Sequence, residues 1–399
     1  MSYHIIAILG KAGKDREGNL VKSTYSKDSD LKINELANGE FINSTHCLIE
    51  SFGESATYTF LGTSDSIEFQ QNIFANLPQC KAIFETNKPI VLGDNELESV
   101  FHQILESIKS THENNIILDI THGYRHQPII ASFASTLGQI NTQKSITLLF
   151  AKELKPREEY QYISLEKYSQ ISLIALSLQT FVQTLSVPNI VDKKEYPFID
   201  TLTRFSNALH ANAFAQIFGQ LNNTKNELQK IKNSVRFGGL EKILDEVERI
   251  LNTFETIKNI KEQYKQYYEI SRFMNEKGYY LIAITYIKEA IPLYVSDKLK
   301  DFTKRNVRPY DKSKAIEEMI KGNPLDRSVF DDVEYLDKKL KEQNFDGLKK
   351  MIENISKIRN DLAHINPKPK ELTEIKKTLN STLEDFKNKC LIQDCLKNL

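Results

Sequence analysis

A change of period along the chain constrains the fold more than any other sequence feature. Up to about residue 165, short apolar runs recur between helical stretches: HIIAIL (4–9), TYTFLG (57–62), KPIVLG (88–93), NIILDI (115–120) and SITLLFA (145–151). Several are apolar at consecutive positions, not alternate ones, which is how a strand reads when both faces of its sheet are covered. Helical segments such as Glu96 to Lys109 and Pro128 to Ile140 separate them. Strand and helix in alternation predict an α/β, doubly wound sheet. Beyond residue 165 come long helical stretches rich in Lys, Glu, Gln, Ile and Leu, broken by Gly238-Gly239, NVRPYDKSK (306–314) and KGNPLDRS (321–328). This second part reads as all-α.

A chain of 399 residues exceeds what one ordinary core serves. Two domains are therefore expected, α/β over 1–185 and helical over 186–399, with SVPNIVDKKEYP (186–197) as the connection. Fifty-three basic residues balance fifty-three acidic ones, so no global field attracts nucleic acid, which argues against non-specific coating of DNA. Any nucleic acid has to be held by a local groove. No apolar run approaches the roughly 18 residues that cross a bilayer, and MSYHIIAILG lacks the basic flank and cleavage site of a secretion signal. A cytoplasmic location with no membrane contact is expected. Four cysteines make no disulfide framework; Cys390 and Cys395 lack the two-residue spacing of zinc or redox motifs and read as incidental thiols. The segment NNTKNELQKIKNSVRF (222–237) reads as a helix with a solvated face.

LDITHGYRHQP (118–128) joins an apolar strand to a helix. In a doubly wound sheet, ligands sit beyond the carboxyl ends of strands, where the next helix offers free N–H groups and a positive dipole end. Thr121, Gly123 and Arg125 suit a phosphate-rich ligand, supplying a hydroxyl, close backbone approach and a permanent cation. Gly10-Lys11-Ala12-Gly13-Lys14 after the first strand and Gly62-Thr63-Ser64-Asp65-Ser66 after the second are small or polar loops of the same kind. Two other readings stand beside this one. Asp119, His122 and His126 are suitable metal ligands, though three donors leave the coordination incomplete. Alternatively, Asp119 and His122 simply hold a structural turn. GKAGK fits neither GxGxxG nor GxxxxGK[ST], which disfavours a dinucleotide or P-loop enzyme.

Near the end, Leu348, Met351, Ile352, Ile355, Ile358 and Leu362 keep helical spacing, and Arg359 falls four residues after Ile355, inside the apolar arc. A guanidinium there needs a carboxylate partner or a cleft that receives an anion. Asn360 and His364 are the polar neighbours. Five residues rotate about 140° on a helix, so Arg359 and His364 share a site only if the helix ends or the groove is wide; Asn366-Pro367 predicts such an ending. The combination suits metal-independent RNA cleavage. The ribose 2′-OH is the nucleophile, His364 moves protons and Arg359 neutralises charge on the phosphate, leaving 2′,3′-cyclic phosphate and 5′-OH ends and sparing DNA. Two copies across a two-fold axis would line one cleft with two such pairs, which favours a homodimer. The structural alternative is that Arg359 pairs with Glu353 or Asp361 and His364 caps the helix.

Asp119-Ile120-Thr121-His122-Gly123, followed by Tyr124-Arg125 and Pro128, resembles the DxTHG signature of a CRISPR-associated family, where it lies in a Rossmann-like sensor domain called CARF. Arg359-Asn360-Asp361-Leu362-Ala363-His364 resembles the R-x4-6-H motif of HEPN ribonucleases. Their order and the chain length are similar to those of CARF–HEPN ribonucleases of type III CRISPR systems. The resemblance implies a sensor domain over 1–185 and a HEPN domain over 186–399. It also implies an endoribonuclease of antiviral defence that cleaves single-stranded RNA when cyclic oligoadenylate, tetra-adenylate first and hexa-adenylate second, binds across the two-fold axis. Thr121, His122 and Gly123 would line the ring site, with Gly10, Lys11, Thr63, Ser64, Asp119 and Arg125 beside it; Arg359, Asn360 and His364 would form the nuclease site. No cofactor, no metal and no stable DNA binding are implied, and slow cleavage of the ring by the sensor is a possible second activity. YYLIAITYIKEAIPLY (279–294) resembles a HEPN core helix; its Glu289 either orients Arg359 or, as such a residue more often is, is simply solvated, and it is not counted in the site. A nucleotide-sensing regulator whose helical half only dimerises is the alternative, and an unregulated ribonuclease a third class.

Overall fold

The computed structural model describes residues 2–12, 20–92, 97–234, 237–343, 345–363 and 369–397. They form two compact units. The first comprises Met1–Ser177 with Pro188–Asp192 and the second Leu178–Val187 with Lys193–Leu399.

The first unit is a mixed sheet with helices. In chain order it runs β1 (Tyr3–Ile8), β2 (Ser23–Lys27), β3 (Gly39–Phe41), α1 (Ser44–Phe52), β4 (Ala56–Gly62), α2 (Ser64–Phe74), α3 (Pro78–Thr86), β5 (Ile90–Val91), α4 (Leu97–Ser110), β6 (Asn115–Asp119), α5 (His126–Thr142), β7 (Ser145–Lys155), β8 (Glu159–Ser164) and α6 (Glu166–Thr184), the last carrying the chain into the second unit. The sheet order is β3-β2-β8-β7-β6-β1-β4-β5. From β7 across to β5 every pairing is parallel; β8 returns antiparallel to β7, and β3 pairs antiparallel with β2.

Both faces are covered, as the consecutive apolar runs require. In β1, Ile5 and Ala7 face a core with Leu48, Phe52, Ile73 and Phe84 from α1 to α3, while Ile6 and Ile8 face one with Val100, Ile104, Ala131 and Ala134 from α4 and α5. Each fully buried Ile contributes about 1.5–3 kcal/mol relative to exposure, so the central strand is strongly held. The expected strands are present as β1, β4, β5, β6 and β7, although β5 is only two residues long. β2, β3 and β8 were not expected. STYSK, GEF and EYQYIS carry too few apolar residues to signal a strand; of the three only β3 is an edge strand, while β2 and β8 each pair on both sides.

The second unit is helical. α7 (Pro197–His210), α8 (Phe214–Lys232), α9 (Glu241–Lys258), α10 (Gln263–Glu276), α11 (Tyr280–Lys298), α12 (Pro309–Ile320), α13 (Val333–Lys341), α14 (Asp346–Ala363) and α15 (Pro369–Phe386) follow one another, and a π-helical turn, Lys387–Ile392, extends α15. Proline at the first turn of α7 and α12 starts each helix where a missing N–H costs nothing. α11 is the centre of this unit. It packs on α10, α12, α14 and α15, and Ala283, Ile284, Ile287, Ala290, Ile291 and Val295 are buried along it. Among the described residues, no helix is long and apolar enough to cross a membrane.

Candidate functional site

From β1 the chain builds β4 and β5 on one side, then returns to add β6 and β7 on the other. The carboxyl ends of β1 and β6 are thus neighbours at the point where the winding reverses, with Ala7 opposite Asp119. Open α/β sheets take their ligands in a crevice outside the strand ends at such a reversal. Gly10 leaves β1 in contact with His122: a Cβ on Gly10 would lie 2.4 Å from the His122 Cβ and 2.9 Å from Nδ1. Gly123 adopts φ +102°, a conformation suited to glycine, and a Cβ there would meet Gln127 Oε1 at 2.6 Å and Ile8 Cγ2 at 2.7 Å. Two glycines therefore allow the two loops to touch.

A buried polar network fixes the loops from below. Asp119 is fully buried; its Oδ2 accepts the Ser44 hydroxyl at 2.8 Å, and its Oδ1 accepts the Thr121 amide at 3.0 Å and hydroxyl at 2.5 Å. Thr121 Oγ1 in turn accepts the Ala151 amide at 2.9 Å. Gln70 donates to the Gly10 carbonyl at 2.7 Å and accepts from Asn43 at 3.1 Å, while Asn43 caps α1 by accepting the His46 amide at 2.9 Å. Burial raises the Asp119 carboxyl above its ordinary range, opposed by His122 and by the bonds from Thr121 and Ser44. Burial lowers the His122 imidazole, opposed by Asp119, so the ring is held neutral. Its Nε2 is shut off from solvent and has no hydrogen-bond partner among the described residues; the same is true of Gln127 Nε2. Among the described residues Thr45, Gln170, Gln220, Asn275 and Tyr286 carry such atoms as well; here two of them, one on the loop and one in the first turn of α5, fall together.

The rim carries the charge. Lys11 is exposed and 3.3 Å from Asp65, Arg125 is exposed at the start of α5, and Ser64 is exposed in the first turn of α2. The Tyr124 and His126 rings stack with centroids 6.0 Å apart. The amino ends of α2 and α5 bring positive dipole ends to the strand edge. Two of the residues assigned to the ligand from sequence also bond within the frame: Asp119 is buried, and the half-buried Thr63 caps α2, its hydroxyl accepting the Ser66 amide at 3.3 Å. Gly13 and Lys14 lie outside the described residues. The donors of Asp119, His122 and His126 do not converge on one point among the described residues; the one group of three that does is His46, Glu50 and Cys80, within 4.8 Å. There, His46 Nδ1 accepts the Ile42 amide at 3.1 Å, which places the ring proton on Nε2, facing Glu50 at 3.8 Å. That leaves no imidazole lone pair for a cation.

In the helical unit, Leu348, Met351, Ile352, Ile355 and Ile358 are buried on α14, against α11 and α15. Arg359 is exposed, contrary to its place in the apolar arc, and Asn360 beside it is exposed too. Burial fades along the last turn, from Ile355 at 0% through Ile358 at 4% to a half-buried Leu362. The face that is core at Ile355 has become open surface one turn later. Neither Glu353 nor Asp361 pairs with Arg359, which has no ion pair or hydrogen bond among the described residues. Glu289 is exposed and accepts from Ser313 at 3.4 Å. His364 lies outside the described residues. Two shallow depressions, around Lys304, Arg327 and Glu334 and around His102, Glu106 and Lys109, include no residue of either candidate site.

No family model matches this chain, and no curated protein matches it. Sequence reading missed Asn43, Ser44, Gln70 and Gln127. Asn43 gives a readable helix-cap signal and Gln127 sits inside the motif, but the partners of Ser44 and Gln70 are 75 and 60 residues away, beyond any local pattern.

Proposed function

We propose that the chain is a cyclic oligoadenylate-activated, metal-independent endoribonuclease of the CARF–HEPN kind, acting on single-stranded RNA in type III CRISPR defence as a homodimer. The observation that carries the reading is the meeting of two loops at the strand ends: His122, whose buried Nε2 has no partner among the described residues, packs against Gly10, and exposed Lys11 and Arg125 belong to the same two loops. An anionic, base-bearing ligand suits this set. Phosphates take the cations and helix amino ends, and the Tyr124–His126 stack offers a face to an adenine. Thr121, His122 and Gly123 form the floor, with Gly10, Lys11, Ser64 and Arg125 around it.

For the second function, the support is that Arg359 and Asn360 stand side by side in solvent with no protein partner among the described residues, free to hold a phosphate. One such pair is a thin apparatus, and a second copy doubles it. Ile129, Phe133 and Leu137 form an exposed apolar stripe at four-residue spacing on α5, a face suited to a second copy.

The test is incubation of pure protein and labelled RNA in EDTA with cyclic tri-, tetra- and hexa-adenylate. Cleavage that requires one ring and leaves 2′,3′-cyclic phosphate ends is expected. Ring binding without cleavage would favour the regulator with a non-catalytic dimerising half. Cleavage that ignores every ring would favour an unregulated ribonuclease.

A further inference from the structure

The carboxyl end of the helical unit gathers groups that the nuclease reading does not use. After α15 the chain passes through the π-helical turn and then Asp394, whose φ is +50°. This path folds residue 395 back onto residue 389: the Cys395 amide donates to the Lys389 carbonyl at 2.9 Å. Cys390, 2% exposed, is the residue next to that carbonyl, so the fold-back sets it close to the exposed Cys395. From α11, the Tyr294 hydroxyl donates to Asp394 Oδ1 at 2.8 Å, accepts the Leu396 amide at 3.1 Å and lies 3.6 Å from Cys395 Sγ. Lys298 holds the other Asp394 oxygen at 2.6 Å. The five-residue spacing that hides this pair in the sequence is closed by the wide turn and the left-handed residue after it.

We infer that Cys390 and Cys395 form a redox-reversible modification site, in which a hydroperoxide oxidises Cys395 and Cys390 resolves it to an intramolecular disulfide. The Cys395 thiolate attacks one peroxide oxygen, the O–O bond breaks, and the leaving hydroxide takes a proton to become water, leaving a sulfenic acid. The Cys390 sulfur then attacks the Cys395 sulfur, its proton going with the departing hydroxyl as a second water. Two equivalents of a small thiol reverse the disulfide.

The surroundings favour this division of roles. The hydrogen bond from Cys390, helped by the backbone amide, brings the Cys395 thiol down to about 6, against burial and the charge of Asp394. At pH 7 such a thiol is about 90% ionised, roughly 30-fold more than an ordinary one near 8.5. Cys390 is pushed strongly up by its bond to Cys395 and by burial, and so retains its proton until it attacks. The charged and titratable groups facing the pair are Tyr294 and Lys298 of α11, Tyr264 of α10 against the Tyr294 ring, and Asp394, Lys389 and Lys397 of the turn. The remaining thiols, Cys47 and Cys80, are buried and pushed up to about 12, so they serve as silent internal controls.

Two measurements on the full chain test the site, and neither depends on RNA cleavage. In the first, iodoacetamide labelling is followed by peptide mass spectrometry across pH. Half-maximal labelling of Cys395 near pH 6 is expected, moving up toward about 8.5 in Cys390→Ala, which removes the donor. In the second, mild hydrogen peroxide should remove two hydrogens from the intact protein, dithiothreitol should restore them, and the disulfide should map to Cys390–Cys395. Cys395→Ser should abolish the change, whereas Cys390→Ser should leave a dimedone-trappable sulfenic acid. An ordinary labelling midpoint for Cys395 in the wild type would overturn the inference, as would oxidation straight to sulfinic acid with no disulfide.

Discussion

At the strand ends of the sheet, Thr121 and His122 are fixed by a buried carboxylate, two glycines and the bonded Gln70–Asn43 pair, whereas at the end of α14 Arg359 and Asn360 stand in solvent with no partner among the described residues. A crevice at a sheet reversal inherits its geometry from the ladder, since Asp119 is placed opposite Ala7 by the same pairing that builds the core. Changing a residue there disturbs both stability and binding. A polar pair on the open end of a helix is cheap for the fold to carry and easy to lose, but it acts only when something else completes it. Function should therefore be separable from stability in one unit and inseparable from it in the other.

The largest expected effect tests the free side of that contrast. Arg359→Ala should lower ligand-dependent RNA cleavage by about 100- to 1,000-fold, about 3–4 kcal/mol in the barrier, because it removes the cation that stabilises charge at phosphorus. Thermal stability and ring affinity should be unchanged, since an exposed side chain away from special features shifts stability by less than about 0.5 kcal/mol. A variant that unfolds, or that cuts as fast as the parent, breaks the comparison.

On the framed side, Asp119→Ala should cost about 3 kcal/mol, because the Ser44 hydroxyl and the Thr121 amide and hydroxyl lose their acceptor together. Chemical denaturation followed on the sheet unit measures it, and ring binding should fall in parallel. Stability unchanged with binding lost would mean that Asp119 meets the ligand directly, as the sequence reading has it.

What could be read from the sequence follows the same divide. β1 and β6 were legible because a strand covered on both faces carries consecutive apolar residues, as in IIAI and IIL, and the loop at 118–128 was legible because Gly123 and Arg125 stand just past such a strand. β2, β3 and β8 were not, since STYSK, GEF and EYQYIS intersperse polar residues and carry no apolar run, whether at the edge, as β3, or paired on both sides, as β2 and β8. Arg359 shows the opposite error. Its angle on the helix is that of Ile355, but angle says nothing of where neighbouring helices stop, and burial is set by both. The Ser44–Asp119 and Gln70–Gly10 bonds depend on tertiary placement alone.

Acid sharpens the contrast at an intermediate size. His4 is 7% exposed on β1, bonded to Thr57 at 2.7 Å and Thr59 at 3.0 Å, and burial, with Lys144 second, lowers it to about 4. A histidine with a folded value below its unfolded 6.5 is neutral in the fold and protonates first in the unfolded chain. Its stabilising contribution is complete above about 6.5 and is lost as pH falls toward 4. Between pH 7 and pH 5 the sheet unit should lose about 2 kcal/mol through this group. Denaturation at both pH values, compared with His4→Gln, isolates it, and an equal pH dependence in the variant would remove His4 as the cause.

The smallest effect asks whether the rim of the crevice behaves like the frame or like the helix end. Lys11 and Asp65 form an exposed pair, with side chains 58% and 77% accessible, so Lys11→Ala should change stability by less than about 0.5 kcal/mol. If Lys11 serves the ligand, the same variant should weaken ring binding about threefold and flatten its salt dependence, whereas Asp65→Ala, which releases the ammonium, should strengthen binding. Titration calorimetry at two salt concentrations separates the outcomes. Opposite signs for the two variants would place Lys11 with Arg359 as a residue the fold leaves free for an anion; equal weakening by both would place the pair within the frame, holding the β1 loop against α2.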